Sequence, residues 1–315
     1  MVYRLLIVVA TIIWGSSFVI VKDVTGFLTT GWILVVRFSV AAVLLALVFA
    51  KKRHLYLQRD YLFYGGLFGV ALFLAYYVQT QGLIYTTPGK NAFLTGTYCV
   101  LVPFFAWFAT RKRPTLINVG AALLCIAGVG LVSLSGDLTV NVGDALTLLC
   151  AVFYALHIVL VSRFSQGRDI FVLTMWQFAG VALCALVVAL ITEPAPVVLT
   201  CLSLEQLVQL TYLAVACTTL ALLFQNIGQK HLPPSSDSLL LSLESPFGVA
   251  FSVAFGAETL NAQVLCGFVL IFAAIMVSEV LPEHLSKVRA KCSGEQDTPT
   301  GSDVAAATLP EGSAK

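Results

Sequence analysis

The chain has 315 residues, 59 % of them from the AVILMFWYC set and only 11 % charged, with a formal net charge of +2 and a mean hydropathy of +0.93. Soluble domains average roughly 45–50 % apolar and about 25 % charged residues, so a water-soluble globule is excluded: there is too little polar surface to clothe one, and the solvent must be lipid. The Lys and Arg are dispersed and form no basic stripe interleaved with aromatics, which excludes a nucleic-acid partner.

A bilayer core of about 30 Å takes about 20 helical residues, and charge-poor runs of that size predict ten spans along the chain. The first, 4–22, carries Arg4 and the segment Trp14-Gly15-Ser16-Ser17-Phe18. No Ala-x-Ala site follows, so it reads as an uncleaved span rather than a signal peptide. The second, 28–50, holds Arg37-Phe38 too deep for easy snorkelling. The third, 61–83, has Gly65-x-x-x-Gly69, a close-packing pair, and the polar Tyr77 and Gln81. The fourth, 88–109, starts at Pro88, presents Asn91, Thr95 and Tyr98 at i, i+4, i+7, and contains Pro103. After the apolar fifth, 115–135, the sixth, 144–162, opens on Gly143-Asp144-Ala145-Leu146 and includes Tyr154 and His157. The seventh, 171–191, holds Gln177-Phe178, and the eighth, 206–227, Gln225. The ninth, 236–256, carries a stripe of Ser238, Ser242, Ser245 and Ser252 together with Leu243-Glu244-Ser245-Pro246. The tenth, 262–281, follows Gly256-Ala257-Glu258. From 286 onward the composition turns to Ser, Gly, Glu, Gln, Asp, Thr and Pro, the signature of a disordered cytoplasmic tail.

The eight cysteines form no CxxC and no Cys/His cluster, and six lie inside apolar runs. They read as small hydrophobes, with only Cys201 in an external loop and no disulfide framework. Counting loops alternately, one side receives Arg4, Lys51, Lys52, Arg53, Arg59, Arg111, Lys112, Arg113, Arg163, Arg168, Lys230, Lys287, Arg289, Lys291 and Lys315, and the other only Lys22 and Lys90. A miscounted span would invert every later loop and destroy this split. The asymmetry therefore predicts ten spans with both termini cytoplasmic.

The chain also resembles itself. A shift of 140 lays Trp14 on Tyr154, Val19 and Val21 on Val159 and Val161, and Arg37-Phe38 on Gln177-Phe178; a shift of 146 lays Gln79 on Gln225, Gly82 on Gly228, Pro88 on Pro234 and Lys112 on Glu258. Five spans per copy, an odd number, force the second copy to cross the membrane upside down. The expected architecture is an all-α integral membrane protein of ten transmembrane helices in two inverted five-helix repeats, 1–135 and 136–285, followed by the tail 286–315. Inverted repeats place one site between two halves that rock against each other.

Trp14-Gly15-Ser16-Ser17-Phe18, Arg37-Phe38, Pro103, Gly143-Asp144-Ala145-Leu146, Leu243-Glu244-Ser245-Pro246, and Gly256-Ala257-Glu258 with Gly267 together resemble the EamA family of the drug/metabolite transporter superfamily, over roughly Leu5 to Val280. The resemblance implies ten helices in two repeats and substrate handled in a central cavity. Where that family often ends its fourth span with a glutamate, this sequence has Arg111-Lys112-Arg113, so no acidic role carries over there.

Ionisable groups at membrane depth tend to face a bundle interior or water. Arg37 could hold an anionic group such as a carboxylate, or lock helices by pairing with a carboxylate or helix-end carbonyls. Glu244, in low dielectric, could carry a proton near neutral pH, or stabilise a helix kinked at Pro246. His157 is either a proton relay or aromatic-substrate contact, or a core histidine. The serine stripe suits packing and cavity lining equally. The candidate substrate or coupling residues are Trp14, Ser17, Arg37, Tyr77, Gln81, Asn91, Thr95, Tyr98, Tyr154, His157, Gln225, Ser242 and Glu244. No Walker A motif and no HExxH occurs, which excludes ATP drive within this chain and leaves an integral-membrane enzyme, a channel or a scaffold as weaker alternatives. The expected function is secondary transport of a small metabolite, an amino-acid-like solute or drug-like compound, exported across the plasma membrane by alternating access. Its expected partners are that solute, the bilayer and protons, with no cofactor and no metal. The residues themselves identify neither the substrate nor the direction of transport.

Overall fold

The computed structural model describes residues 2–111, 113–133, 141–194, 202–232, 240–257 and 261–292; among them there is no strand. The helices are α1 (Val2–Val24), α2 (Thr30–Val48), the short α3 (Arg53–Tyr56), α4 (Arg59–Tyr85), α5 (Pro88–Gly96), α6 (Tyr98–Thr110), α7 (Leu116–Ser133), α8 (Val142–Phe164), α9 (Ile170–Thr192), α10 (Leu204–Tyr212), α11 (Ala221–His231), α12 (Glu244–Ala254) and α13 (Ala262–Cys292). Leu213–Leu220, between α10 and α11, is π-helical. Among the described residues, six segments are long and apolar enough to cross a membrane: α1, α2, α4, α8, α9 and the continuous Leu204–His231. Leu116–Val132 and Ala262–Val277 are shorter apolar helices. The chain is thus a multi-pass membrane protein.

Helix starts follow local chemistry. Asp169 caps α9 by accepting from the amides of Phe171 and Val172. Ser203 and Gln206 form a reciprocal capping box on α10, and Thr87 caps α5 ahead of Pro88, whose missing N–H costs nothing at a first turn. Each such cap contributes about 1 kcal/mol.

Three expected spans depart from continuous helices. The fourth divides at Thr97 into α5 and α6; Gly96 there lies under the Ser245 hydroxyl, which a Cβ would meet at 2.1 Å. In the ninth, α12 begins at Glu244, with Ser242 and Leu243 in a turn. Pro246 therefore sits in the first turn of a helix, where no amide bond is lost, and does not kink a long one. The eighth contains the π stretch, where Thr218 and Thr219 donate to the carbonyls of Leu213 and Ala214, five residues back, at 2.7 and 2.8 Å. At the C-terminal end, α13 runs to Cys292, past the expected start of the tail. Cys201, Lys112, Pro234, Ser238, Glu258 and 293–315 lie outside the described residues.

Helix directions follow from side-chain contacts. The Glu193 carboxylate, just past α9, accepts from Thr29 Oγ1 at 2.6 Å and from the Gly31 amide at 2.8 Å, at the start of α2. Beyond the other end of α2, Lys52 pairs with Asp169 at the start of α9. Hence α2 and α9 are antiparallel. Gly65 and Gly69 lie against Trp176, Gln177 and Gly180, so α4 runs parallel to α9, while Gly82 against Thr147 and Tyr64 stacked on Phe164 set α4 antiparallel to α8. Helices α7 and α13 cross backbone to backbone: a Cβ on Gly128 would stand 2.9 Å from the Gly267 carbonyl, and one on Gly267 equally close to that of Gly128. Lipid tails are as apolar as leucine, so close van der Waals contact of this kind holds helices together in a bilayer. A continuous apolar core threads α1, α2, α4, α8 and α9. Cys99, Cys125, Cys150, Cys184, Cys217 and Cys266 are free thiols.

Candidate functional site

In the middle of this core, polar groups from both halves of the chain meet around a small cavity. Its walls are Trp14, Ser17, Phe18 and Val21 of α1; Arg37 of α2; Tyr76, Gln79, Thr80 and Leu83 of α4; Asn91 of α5; Tyr154 of α8; and Glu244 of α12. The free volume is about 20 Å³, room for little more than a water.

Arg37 is 2 % exposed. Its Nε donates to Thr218 Oγ1 at 3.0 Å, and its guanidinium stands 5.3 Å from the Tyr76 ring centre. The π stretch makes the first contact, because its wider turn presents Thr218 to α2 while the Thr218 hydroxyl itself donates back to Leu213. The same stretch turns the Cys217 carbonyl towards α1, where Trp14 Nε1 donates to it at 2.8 Å. Both Nη groups of Arg37 lack an acceptor among the described residues, and no described carboxylate pairs with the guanidinium. The side chain is therefore tethered through one nitrogen, with two amino groups left beside the cavity.

Glu244 opens α12 and Tyr98 opens α6, each directly after a break in its helix, and the Tyr98 side chain approaches the Glu244 carboxylate. A carboxylate in a first helical turn also faces unpaired amides and the positive end of the helix dipole. Around these two side chains runs a neutral network. Tyr154 donates to Gln79 Oε1 at 2.9 Å, Gln79 Nε2 to Thr95 Oγ1 at 3.1 Å, and Asn91 Nδ2 to Thr147 Oγ1 at 2.7 Å. Tyr76 lies edge-on to both Phe38 and Tyr154.

Of the residues selected from the sequence, Trp14, Ser17, Arg37, Asn91, Tyr154 and Glu244 line the cavity, and Thr95 and Tyr98 contact residues that do. Tyr77 and Gln81 do not line it. On α4 the lining stripe is Tyr76, Gln79, Thr80 and Leu83, and Tyr77 packs instead on Phe73. His157 is fully buried one turn beyond Tyr154 and off the cavity; the Gln177 amide approaches it without hydrogen-bond alignment. Gln225 and Ser242 are buried and off the cavity. Ser245 donates to the Ala92 carbonyl at 3.2 Å, a packing contact between α12 and α5. Tyr76, Gln79 and Thr80 were selectable as polar residues at i, i+3, i+4, and only the choice of the neighbouring stripe missed them.

Both ends of the α2–α9 pair are tied across the halves. At one end Arg168 bridges Asp60 at 2.9 Å and stacks 4.0 Å from the Tyr64 ring centre, beside the Lys52–Asp169 pair. At the other, Trp32 Nε1 donates to the Pro194 carbonyl at 3.0 Å, beside Glu193.

Two stretches of the chain, 1–134 and 141–279, match the EamA-like transporter family. An uncharacterized transporter of Archaeoglobus fulgidus is 34 % identical over 272 residues, covering 85 % of this chain and 82 % of that protein. The uncharacterized transporter YyaM of Bacillus subtilis is 26 % identical over 290 residues, covering 88 % and 94 % respectively. The crystal structure of another protein superposes with a TM-score of 0.67 at 17 % identity, over 90 % of this chain and 98 % of that one, and shares the fold. Matched along nearly all its membrane-embedded length, the chain belongs to the EamA-like transporter family, and it is a membrane transporter.

Proposed function

We propose that the protein is a secondary carrier that moves a small amino-acid-like metabolite by alternating access between two inverted five-span halves. The observation that carries this reading is the Arg37–Glu244 cavity. A guanidinium with two uncommitted amino groups and a carboxylate on another helix line one aromatic-walled space, without an ion pair between them. A zwitterion offers the matching pair: its carboxylate accepts a fork of N–H bonds and its ammonium neutralises Glu244.

The packing supports two inverted halves. Under the offsets of 140 and 146, α2 pairs with α9 and α7 with α13, and the members of each pair contact one another. The contacts of α4 with α8 and of α1 with α11 exchange. The antiparallel run of α2 against α9 is the relation that inversion requires. Tyr98 and Glu244 are themselves mates under the shift of 146, so the two helix breaks meet at the centre, in the manner of discontinuous helices at carrier sites. Because the cavity as it stands admits no metabolite, loading it requires one end of the α2–α9 pair to part. The basic asymmetry of the loops supports cytoplasmic termini in the plasma membrane.

The test is counterflow in proteoliposomes loaded with an unlabelled amino acid, using a panel of labelled amino acids, their amides and their decarboxylated amines outside. Saturable uptake of an amino acid, with its amide and amine excluded, is expected. Linear, unsaturable flux or no exchange with any member of the panel would overturn the proposal.

A further inference from the structure

Lys22, in the last turn of α1, makes three hydrogen bonds, and none goes to a carboxylate. Its Nζ donates to the carbonyls of Leu83 at 2.6 Å, Ile84 at 2.8 Å and Thr86 at 3.0 Å. These oxygens belong to the end of α4, where the helix stops ahead of Pro88 and its last carbonyls have no partner within the helix. An ammonium has three donors, and all three are spent on spanning the gap from α1 to α4.

The position of this bridge gives it meaning. The lining residues of α1 run from Trp14 to Val21 and those of α4 from Tyr76 to Leu83, so both stripes lead from the middle of the protein to the residues that Lys22 joins. Val21 and Leu83 are the last lining residues on their helices, and Lys22 closes the chain gap immediately beyond them. The bridge continues into the second half: Thr86, whose carbonyl accepts from Lys22, donates its hydroxyl to Asp144 of α8. Asp144 is fully buried, and its other oxygen lies 3.9 Å from Lys90, beyond hydrogen-bond reach. The shift of 140 places Ser162 at the matching point of α8, a side chain too short to repeat the bridge, so the device belongs to one end alone.

We propose that Lys22 is a second anion-binding residue, at the mouth of the cavity: it holds the mouth shut by capping α4 and lets go when a substrate carboxylate takes its ammonium from the carbonyls. This rests on the reading of the Arg37–Glu244 cavity as the substrate site. A carboxylate, carrying full charge, competes well against neutral carbonyl dipoles for an ammonium. Once inside, the same carboxylate meets the open side of Arg37. Two cations in sequence along one wall select anionic or zwitterionic solutes over cationic ones before the site itself is reached.

The test reads access rather than transport. In full-length protein with the eight cysteines replaced, Thr80→Cys places a thiol on the cavity wall, and a membrane-impermeant methanethiosulfonate is added to right-side-out or inside-out vesicles. Lys22→Met is expected to raise the modification rate at least tenfold from one face only, and Lys22→Arg, which keeps charge and donors, to leave it within about twofold. An unchanged rate in Lys22→Met, an equal rise from both faces, or an arginine that behaves as methionine overturns the proposal. If Lys22→Met does not reach the membrane, Lys22 is left in place and spin labels are set at the exposed positions Asp23 and Tyr85. Benzoate should then add a longer-distance population that benzamide does not, and identical distances with both overturn the proposal. Counterflow on the same vesicles reads the carrier separately: exchange without either access change keeps the carrier and rejects the latch, and both changes without exchange do the reverse.

Discussion

Arg37 divides its donors between structure and site, and this makes its two roles separable. Nε is anchored on Thr218, and the Nη pair is left for a ligand. In Arg37→Lys a single ammonium replaces a planar fork. Loss of one charge-assisted hydrogen bond costs about 1.5–3 kcal/mol. Exchange should therefore lose roughly ten- to hundredfold in affinity, with little change in the detergent melting temperature of ligand-free protein. Arg37→Gln should still fold, because Gln177 occupies the matching position of α9; failure to reach the membrane would show that the Thr218 tether dominates. Glu244→Gln keeps shape and hydrogen-bonding reach but removes the ionisable proton. The expected outcome in proteoliposomes is reduced flux driven by a pH gradient while exchange persists, and equal persistence of both would leave Glu244 a packing residue. These two groups were legible in the sequence because each is ionisable within an apolar run. Tyr76 and Gln79 were not, because choosing among adjacent polar stripes on one helix requires knowing which way the helix is turned.

At the scale of the helix, composition located the membrane-embedded segments but said little about their interruptions. Pro246 reads as a kink, yet the breaks fall at Thr97 and just ahead of Glu244, where the crossing of α5 and α12 brings Gly96 against Ser245. That cause lies in the partner helix and is invisible to local propensity. The π stretch also lacks a sequence signal beyond an ordinary Thr-Thr pair. Gly65-x-x-x-Gly69, in contrast, was read correctly as a close-packing pair. A Cβ at Gly69 would stand 2.7 Å from the Gln177 carbonyl and 2.9 Å from Gly180, whereas one at Gly66 meets nothing within 4 Å. Gly69→Ala should accordingly lower the melting temperature, at about 1–3 kcal/mol for overpacking. Gly66→Ala should be neutral or stabilise by up to about 1 kcal/mol from helix propensity. Thermal melts of the two variants in detergent make the comparison, and equal melts would mean that α4 and α9 can separate freely.

For the molecule as a whole, the basic residues of the loops make a claim that labelling can check. Single cysteines between Lys51 and Asp60 should react with an impermeant reagent only after permeabilisation, and one at Asn141 should react from outside; the reverse would invert the protein. The ties at the two ends can be separated in the same way. Lys52 and Asp169 are partly exposed, so Asp169→Asn should cost less than about 1 kcal/mol through the lost ion pair. It should instead show itself as faster labelling of cavity cysteines from the Lys52 side. The all-helical, multi-pass character was legible at this scale because hydrophobic run length is a global property that survives local error.

The π stretch has a mechanical consequence. Its hydrogen bonds skip one residue more than those of the helices on either side, so it stores a surplus of chain within a continuous rod. Each residue of register returned to ordinary α geometry turns everything on one side of it by about 100° relative to the other. Thr218 and the Cys217 carbonyl, which hold Arg37 and Trp14, lie within that surplus. A slip there would act as a ratchet tooth, releasing the guanidinium and the indole in one motion and converting axial sliding of a single helix into rotation at the binding site.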